Sequence, residues 1–195
     1  VAIMEASALT AIRTAAASVV ATLALARPDS STLAMLGTGE EARSHIDAFQ
    51  AVRPFERVIV WGRNPDAARE CAEYALGAGC AHVEVAASVA AAAADADVIC
   101  TVTGSPTAIL FGRDVRKGTH LCLVGASIPS SREVDDDLVA LSRYFDVLSG
   151  SVPGRLADDD VTVYKSLGVA AQDLVSALLV YRHALERGLG TVAEL

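Results

Sequence analysis

The stretch Thr32-Leu33-Ala34-Met35-Leu36-Gly37-Thr38-Gly39-Glu40-Glu41-Ala42 decides how the rest of the chain reads. Its first five residues are mostly apolar and predict a buried strand. The G-x-G-x-x-A run that follows predicts a tight turn opening a helix. Gly37 permits the turn, Gly39 lets backbone approach a pyrophosphate, and Ala42 lets the helix sit close to the strand. A pyrophosphate there rests on the unpaired N–H groups at the positive end of a helix. Gly37, Thr38, Gly39, Glu40 and Glu41 are therefore read as contacts to a dinucleotide.

Upstream, Ser7 is placed to cap a helix over 8–26, where Leu9, Ile12, Ala16, Val19, Val20 and Leu23 recur at helical spacing. Downstream, a helix over 40–49 leads to a strand over 57–61, and Pro65 opens a helix reaching to 76. A short strand over 82–85 precedes a helix capped by Ser88 that runs to 94. Apolar strands follow at 97–102 and 119–124, then a short helix over 135–142 and a last strand over 144–148. The stretch 149–160 is polar and acidic and reads as a link to a short extended run at 161–164 and a final helix over 167–187. Strands that are apolar throughout and alternate with helices mean a parallel sheet covered on both faces, an α/β doubly wound Rossmann fold. Residues 29–150 form that domain on this reading. The helices in 1–28 and 151–195 flank it as parts of a second, largely absent domain.

Composition narrows the function classes. The formal net charge is −8 with no basic stripe, which argues against nucleic acid as a partner. The acidic runs Asp135-Asp136-Asp137 and Asp158-Asp159-Asp160 read as helix starts or solvated loops. Cys71, Cys80, Cys100 and Cys122 match no zinc pattern, nor do His82, His120 and His183, so no metal is expected. Unpaired thiols in apolar strands suit a cytoplasmic protein. Glu5, Thr10, Arg13 and Thr14 interrupt the alanine-rich start, which fits neither a signal peptide nor a membrane span.

An NAD site usually presents an acid at the end of the second strand, for the ribose 2′-hydroxyl. Here that position reads Trp61-Gly62-Arg63-Asn64. A guanidinium can clamp a 2′-phosphate and stack on adenine, so Arg63 and Asn64 favour NADP over NAD; otherwise Arg63 is an ordinary exposed charge. Thr101-Val102-Thr103 and Val124-Gly125-Ala126-Ser127 end the fourth and fifth strands, where ligands sit in such sheets. Their hydroxyls contact the cofactor or bond local backbone.

At these residues the chain resembles the ornithine cyclodeaminase/mu-crystallin family. The resemblance rests on Leu9-Thr10-Ala11-Ile12-Arg13-Thr14-Ala15-Ala16-Ala17-Ser18, the turn and helix from Gly37 to His45, and Ala96-Asp97-Val98-Ile99. It continues through Ile109-Leu110-Phe111-Gly112, Val124-Gly125-Ala126-Ser127 with Arg132-Glu133, and Lys165-Ser166-Leu167-Gly168. It implies a two-domain, usually dimeric protein whose first half builds a substrate and dimerisation domain. Most of that half has no counterpart before Val1, and the stretch after Leu148 looks shorter than the family's, so the chain reads as a natural short form or as part of a longer one.

Cyclodeaminases of the family carry an aspartate where this chain has Ser127, whereas ketimine reductases resemble it in having serine. Serine cannot act as a carboxylate base at neutral pH, but it can exchange one hydrogen bond with a substrate or nicotinamide. The resemblance therefore implies an NADPH-dependent reductase of cyclic imino acids such as pyrroline-2-carboxylate or piperideine-2-carboxylate. Alternatives are an ornithine cyclodeaminase or amino-acid dehydrogenase, or a non-catalytic carrier of NADPH or a small ligand. Arg13, assisted by Thr14, would bind the substrate carboxylate or a cofactor phosphate. Ser127 and Lys165 are candidates for catalysis. Ser166, Leu167 and Gly168, just before the last helix, are candidate cofactor contacts; Lys165 and Ser166 read equally as an exposed lysine and a simple cap. His45 reads as a packing group rather than a base.

Overall fold

A computed structural model describes residues 2–141 and 154–191. The elements in chain order are α1 (Ala6–Leu25), β1 (Thr32–Leu36), α2 (Glu40–Val52), β2 (Arg57–Trp61), α3 (Pro65–Gly77), β3 (His82–Val85), α4 (Val89–Ala93), β4 (Val98–Thr101), β5 (His120–Leu123), α5 (Asp136–Leu141), β6 (Thr162–Lys165) and α6 (Ala170–Arg187). The six strands form one sheet in the order β3-β2-β1-β4-β5-β6, and every pairing is parallel. The doubly wound α/β reading holds.

Strand alternation explains why β1 is apolar on both sides. Leu33 and Met35 enter one core with Phe49, Val58 and Val60; Ala34 and Leu36 enter the other with Ile59, Ile99 and Leu121. Helices cover both faces, so neither set meets water. α2 sends Ala42, Ile46 and Phe49 into the first core, and fully burying a side chain the size of Phe49 stabilises the fold by about 1.5–3 kcal/mol.

The helix at the chain start begins two residues earlier than its sequence signal. Glu5, not Ser7, is its cap: its two carboxylate oxygens accept from the Ser7 and Ala8 amides at 2.8 and 2.6 Å. By length and hydropathy alone α1 would pass for a membrane span. Its packing accounts for that composition, because Ala11, Ala15, Val19 and Leu25 are among the residues it buries against α2, β5 and β6.

The sheet takes a strand from the segment read as link and final unit. Thr162 and Val163 pair with His120 and Leu121, so the extended run after the acidic loop is β6. The strand expected at 144–148 lies outside the described residues. α6 runs beside α1 but buries none of its residues. Leu174, Val175, Leu178 and Leu179 of α6 stay exposed, as do Ile12, Val20 and Leu23 of α1.

Candidate functional site

The strand order reverses between β1 and β4, and crevices outside the carboxyl ends at such a point bind ligands. Gly37 leaves β1 with φ +130°, and a Cβ on it would lie 2.7 Å from the Val102 carbonyl oxygen after β4. The turn therefore tolerates no side chain there. Gly39 caps α2 without any side-chain bond, and a Cβ on it would meet nothing within 4 Å. The helix amides thus face open space, as a bound anion requires.

A cleft of about 390 Å³ lies over this point. Gly37, Thr38, Gly39, Arg63, Asn64, Val102 and Thr103 line it, so seven of the residues singled out from sequence meet there. Trp61, Gly62, Gly104, Ser105 and Ile109 complete the wall. Gly62 is needed because a Cβ would sit 2.6 Å from the Thr38 methyl. Arg63 is exposed and makes no ion pair among the described residues, leaving its fork free for an anion. Asn64 is already engaged: its Oδ1 accepts from the Asp66 and Ala67 amides and caps α3.

Glu40 and Glu41 occupy the first turn of α2. Burial raises the Glu41 carboxyl above its ordinary value, with the Arg13 charge opposing and the Glu40 charge adding. Beneath it His45 is fully buried, and that burial lowers its pKa and favours the neutral ring. With Nδ1 2.6 Å from the Glu41 carbonyl, the ring donates there and accepts at Nε2 from the Ser18 hydroxyl, 2.9 Å away. His45 is thus a satisfied core group linking α1 to α2.

The opposite wall of the cleft is the segment after β4, while the ends of β5 and β6 line a neighbouring cavity of about 330 Å³ with Leu123, Ala126, Glu133 and Lys165. Thr101 is buried and Thr103 half-buried, and both hydroxyls donate to Glu133, at 2.8 and 2.7 Å. Of the two readings for these hydroxyls, the structure thus gives them a partner within the protein. Val124 is buried, and a Cβ on Gly125 would lie only 2.0 Å from the Thr103 carbonyl. Ser127 is exposed in the loop after β5, its amide bonded to the Gly125 carbonyl at 3.0 Å.

Lys165 is not the exposed lysine of the sequence reading. Its ammonium donates to the carbonyls of Leu123, Ala126 and Ser166 at 3.2, 2.7 and 3.3 Å, which uses all three N–H groups. Burial lowers its pKa while the Glu133 charge opposes that shift. It therefore holds the β5 loop, with its ammonium engaged by three carbonyls. Ser166 is buried and bonds through its amide to the Leu123 carbonyl, whereas Leu167 is exposed. Gly168, at φ +75°, lies against the Arg13 guanidinium. Arg13 itself is bonded through Nε to Asp173 of α6, and Thr14 is buried beside it on α1.

Sequence reasoning gave Glu133 no role beyond its place in the family resemblance, and it missed Asp173. Acids in a loop and on an apolar-patterned helix carry no local signal; only the donors converging on them in space reveal their use.

Comparison with known proteins agrees with this geometry. The model of the ornithine cyclodeaminase/mu-crystallin family matches residues 1–146 and 140–188. The chain is 39% identical over 206 residues to the ketimine reductase mu-crystallin of Mus musculus, covering 92% of this chain and 64% of that protein. It is 33% identical over 227 residues to the Delta(1)-pyrroline-2-carboxylate reductase of Bacillus cereus (strain ATCC 10987 / NRS 248), covering 99% of this chain and 70% of that one. Among solved structures, the Delta(1)-pyrroline-2-carboxylate reductase of Thermococcus litoralis in complex with NADH and L-proline superposes with a TM-score of 0.92 at 30% identity, over 99% of this chain and 70% of its own. The chain thus spans under two thirds of the mu-crystallin it matches. With strand order, glycine turn and sequence in agreement, the chain belongs to the ornithine cyclodeaminase/mu-crystallin family.

Proposed function

We propose that this chain is the dinucleotide-binding part of an NADPH-dependent reductase of cyclic imino acids such as pyrroline-2-carboxylate or piperideine-2-carboxylate. The observation that carries the reading is the cleft at the switch point, lined by a glycine cradle and by Arg63, which makes no ion pair among the described residues. Relatives named for ketimine and pyrroline-2-carboxylate reduction support the substrate class.

The residues present fit a dinucleotide. The Gly37–Thr38–Gly39 turn and the α2 amides suit the pyrophosphate, and Arg63 suits a 2′-phosphate, which favours NADP over NAD. When bound, the dihydronicotinamide supplies a hydride for the carbon of a C=N bond. The chain's part is positioning. Arg13, held by Asp173, presents its remaining N–H groups to an anion near Gly168. Ser127 offers one exposed hydroxyl to the substrate or the nicotinamide carboxamide. Its lack of a carboxylate disfavours cyclodeamination, which needs a base.

The exposed apolar residues of α1 and α6 support a homodimer in which they are covered. Four free, buried cysteines support a cytoplasmic setting. The test is NADPH oxidation by the full-length protein with a panel of cyclic ketimines, NADH as control and ornithine as a second substrate. Ketimine-dependent oxidation that prefers NADPH is expected. Ammonia release from ornithine without added NADPH would replace this reading with cyclodeamination, and tight NADPH binding without turnover would replace it with a carrier role.

A further inference from the structure

Glu133 is 2% exposed, yet it lies in the loop between β5 and α5. Its Oε1 accepts from the amide and the hydroxyl of Thr103, both at 2.7 Å. Its Oε2 accepts from the Thr101 hydroxyl at 2.8 Å and the Ala126 amide at 3.1 Å. Four donors on two oxygens are the complement of an ionised carboxylate, and they come from the ends of two different strands. Its own carbonyl accepts from the amides of Ile109 and Leu110 at 2.9 and 3.0 Å, which fixes a third segment, and Ile109 lines the cleft.

A buried charge is costly, and apolar packing would hold a loop as firmly. What the carboxylate adds is direction, because each donor has to point at it. The close approach of Gly125 to Thr103 shows how little slack remains: a Cβ there would also lie 2.6 Å from Glu133 Oε1. None of these bonds reaches the walls on the other side of the switch point, where Gly37, Gly62 and Arg63 stand.

We propose that Glu133 is the positioning residue of the nicotinamide half-site, fixing the backbone after β4 and β5 on which that end of the dinucleotide lies. This rests on the dinucleotide reading of the cleft. Rossmann sheets bind one mononucleotide half on each side of the switch point, so β4, β5 and β6 take the half that β1, β2 and β3 do not. Glu133 touches no ligand and acts through Thr103, Ala126 and Ile109.

The test compares two probes on the wild-type chain and on Glu133→Gln. Adenosine 2′,5′-bisphosphate reports the adenosine side alone, and NADPH reports both sides. The emission of bound dihydronicotinamide reports the ring's surroundings directly. A glutamine places an NH2 group against donors, so NADPH affinity is expected to fall roughly tenfold or more and the emission change to be lost. Bisphosphate affinity is expected to stay within about twofold. Thr101→Val, which removes one buried donor at nearly constant volume, should shift NADPH in the same direction by less and covers a Glu133 variant that does not fold. Unchanged NADPH binding in both variants would overturn the proposal. So would equal losses for both probes, which would make Glu133 a support of the whole fold. Wild type binding neither probe would instead remove the dinucleotide reading itself.

Discussion

The guanidinium of Arg13 on α1 and the carboxylate of Asp173 on α6 meet at 2.8 Å, joining residues 160 apart in sequence. Arg13 is mostly buried while Asp173 is half-exposed, so the acid orients the base rather than shielding it from ligands. Only Nε is spent on Asp173, and the terminal nitrogens lie beside Gly168; the proposed ligand for them is a cofactor phosphate or a substrate carboxylate.

Arg13→Lys keeps the charge but loses the fork, and one ammonium cannot serve Asp173 and a second anion with the same geometry. NADPH affinity is expected to fall about tenfold, with little change in the thermal midpoint. Titration calorimetry on the two proteins checks it. Equal affinity would show that Arg13 serves only to join the helices.

Glu41 is expected to make dinucleotide affinity depend on pH. Its carboxyl is raised by burial, and a pyrophosphate arriving at the same helix end raises it further, so binding takes up a proton. Affinity should therefore rise as pH falls from neutrality and level off below the raised value of the unliganded protein. Glu41→Gln should bind roughly three- to tenfold tighter at neutral pH and flatten that dependence. ADP-ribose is the ligand to titrate, since its pyrophosphate does not ionise in this window. An unaltered pH profile in the variant would assign the dependence to another group.

Much of this was legible in the sequence, and the parts that were not share a physical cause. The runs at 32–36, 57–61 and 82–85 were bounded correctly because the first two are apolar and turn residues flank them. β6 was located as an extended run but not assigned to the sheet, because Thr162, Tyr164 and Lys165 dilute its apolar pattern at the sheet edge, just after an acidic loop. The glycine turn could be read residue by residue, since it depends on local backbone. Lys165 and Glu133 could not, because their partners are backbone groups and hydroxyls from other strand ends. Asn64 illustrates a residue with two local uses: it lines the cleft, but its carbonyl oxygen caps α3.

At the far end of the sheet, Asp97 ties the strand starts together. It accepts from the Ser31 and Thr32 amides at 2.8 and 3.0 Å and pairs with Arg27 and Arg116. Burial alone would raise its pKa, but those amides and guanidiniums outweigh burial and hold it below the ordinary value. Its stabilisation is therefore complete above the ordinary carboxylate pKa and is lost as pH falls through the depressed folded value. Asp97→Asn should cost about 2–4 kcal/mol at neutral pH, and its deficit against wild type should shrink in acid. Urea midpoints across a pH series measure both effects; a deficit constant with pH would mean the lost charge is not the cause.

On the proposed reading a dinucleotide crosses the switch point and Arg63 recognises its 2′-phosphate. Equilibrium titration of NADPH and NADH against wild type and Arg63→Asp tests it most directly. Wild type is expected to prefer NADPH, and the variant to lose NADPH affinity roughly a hundredfold while NADH changes little. A ratio of the two affinities that does not move on substitution would contradict it.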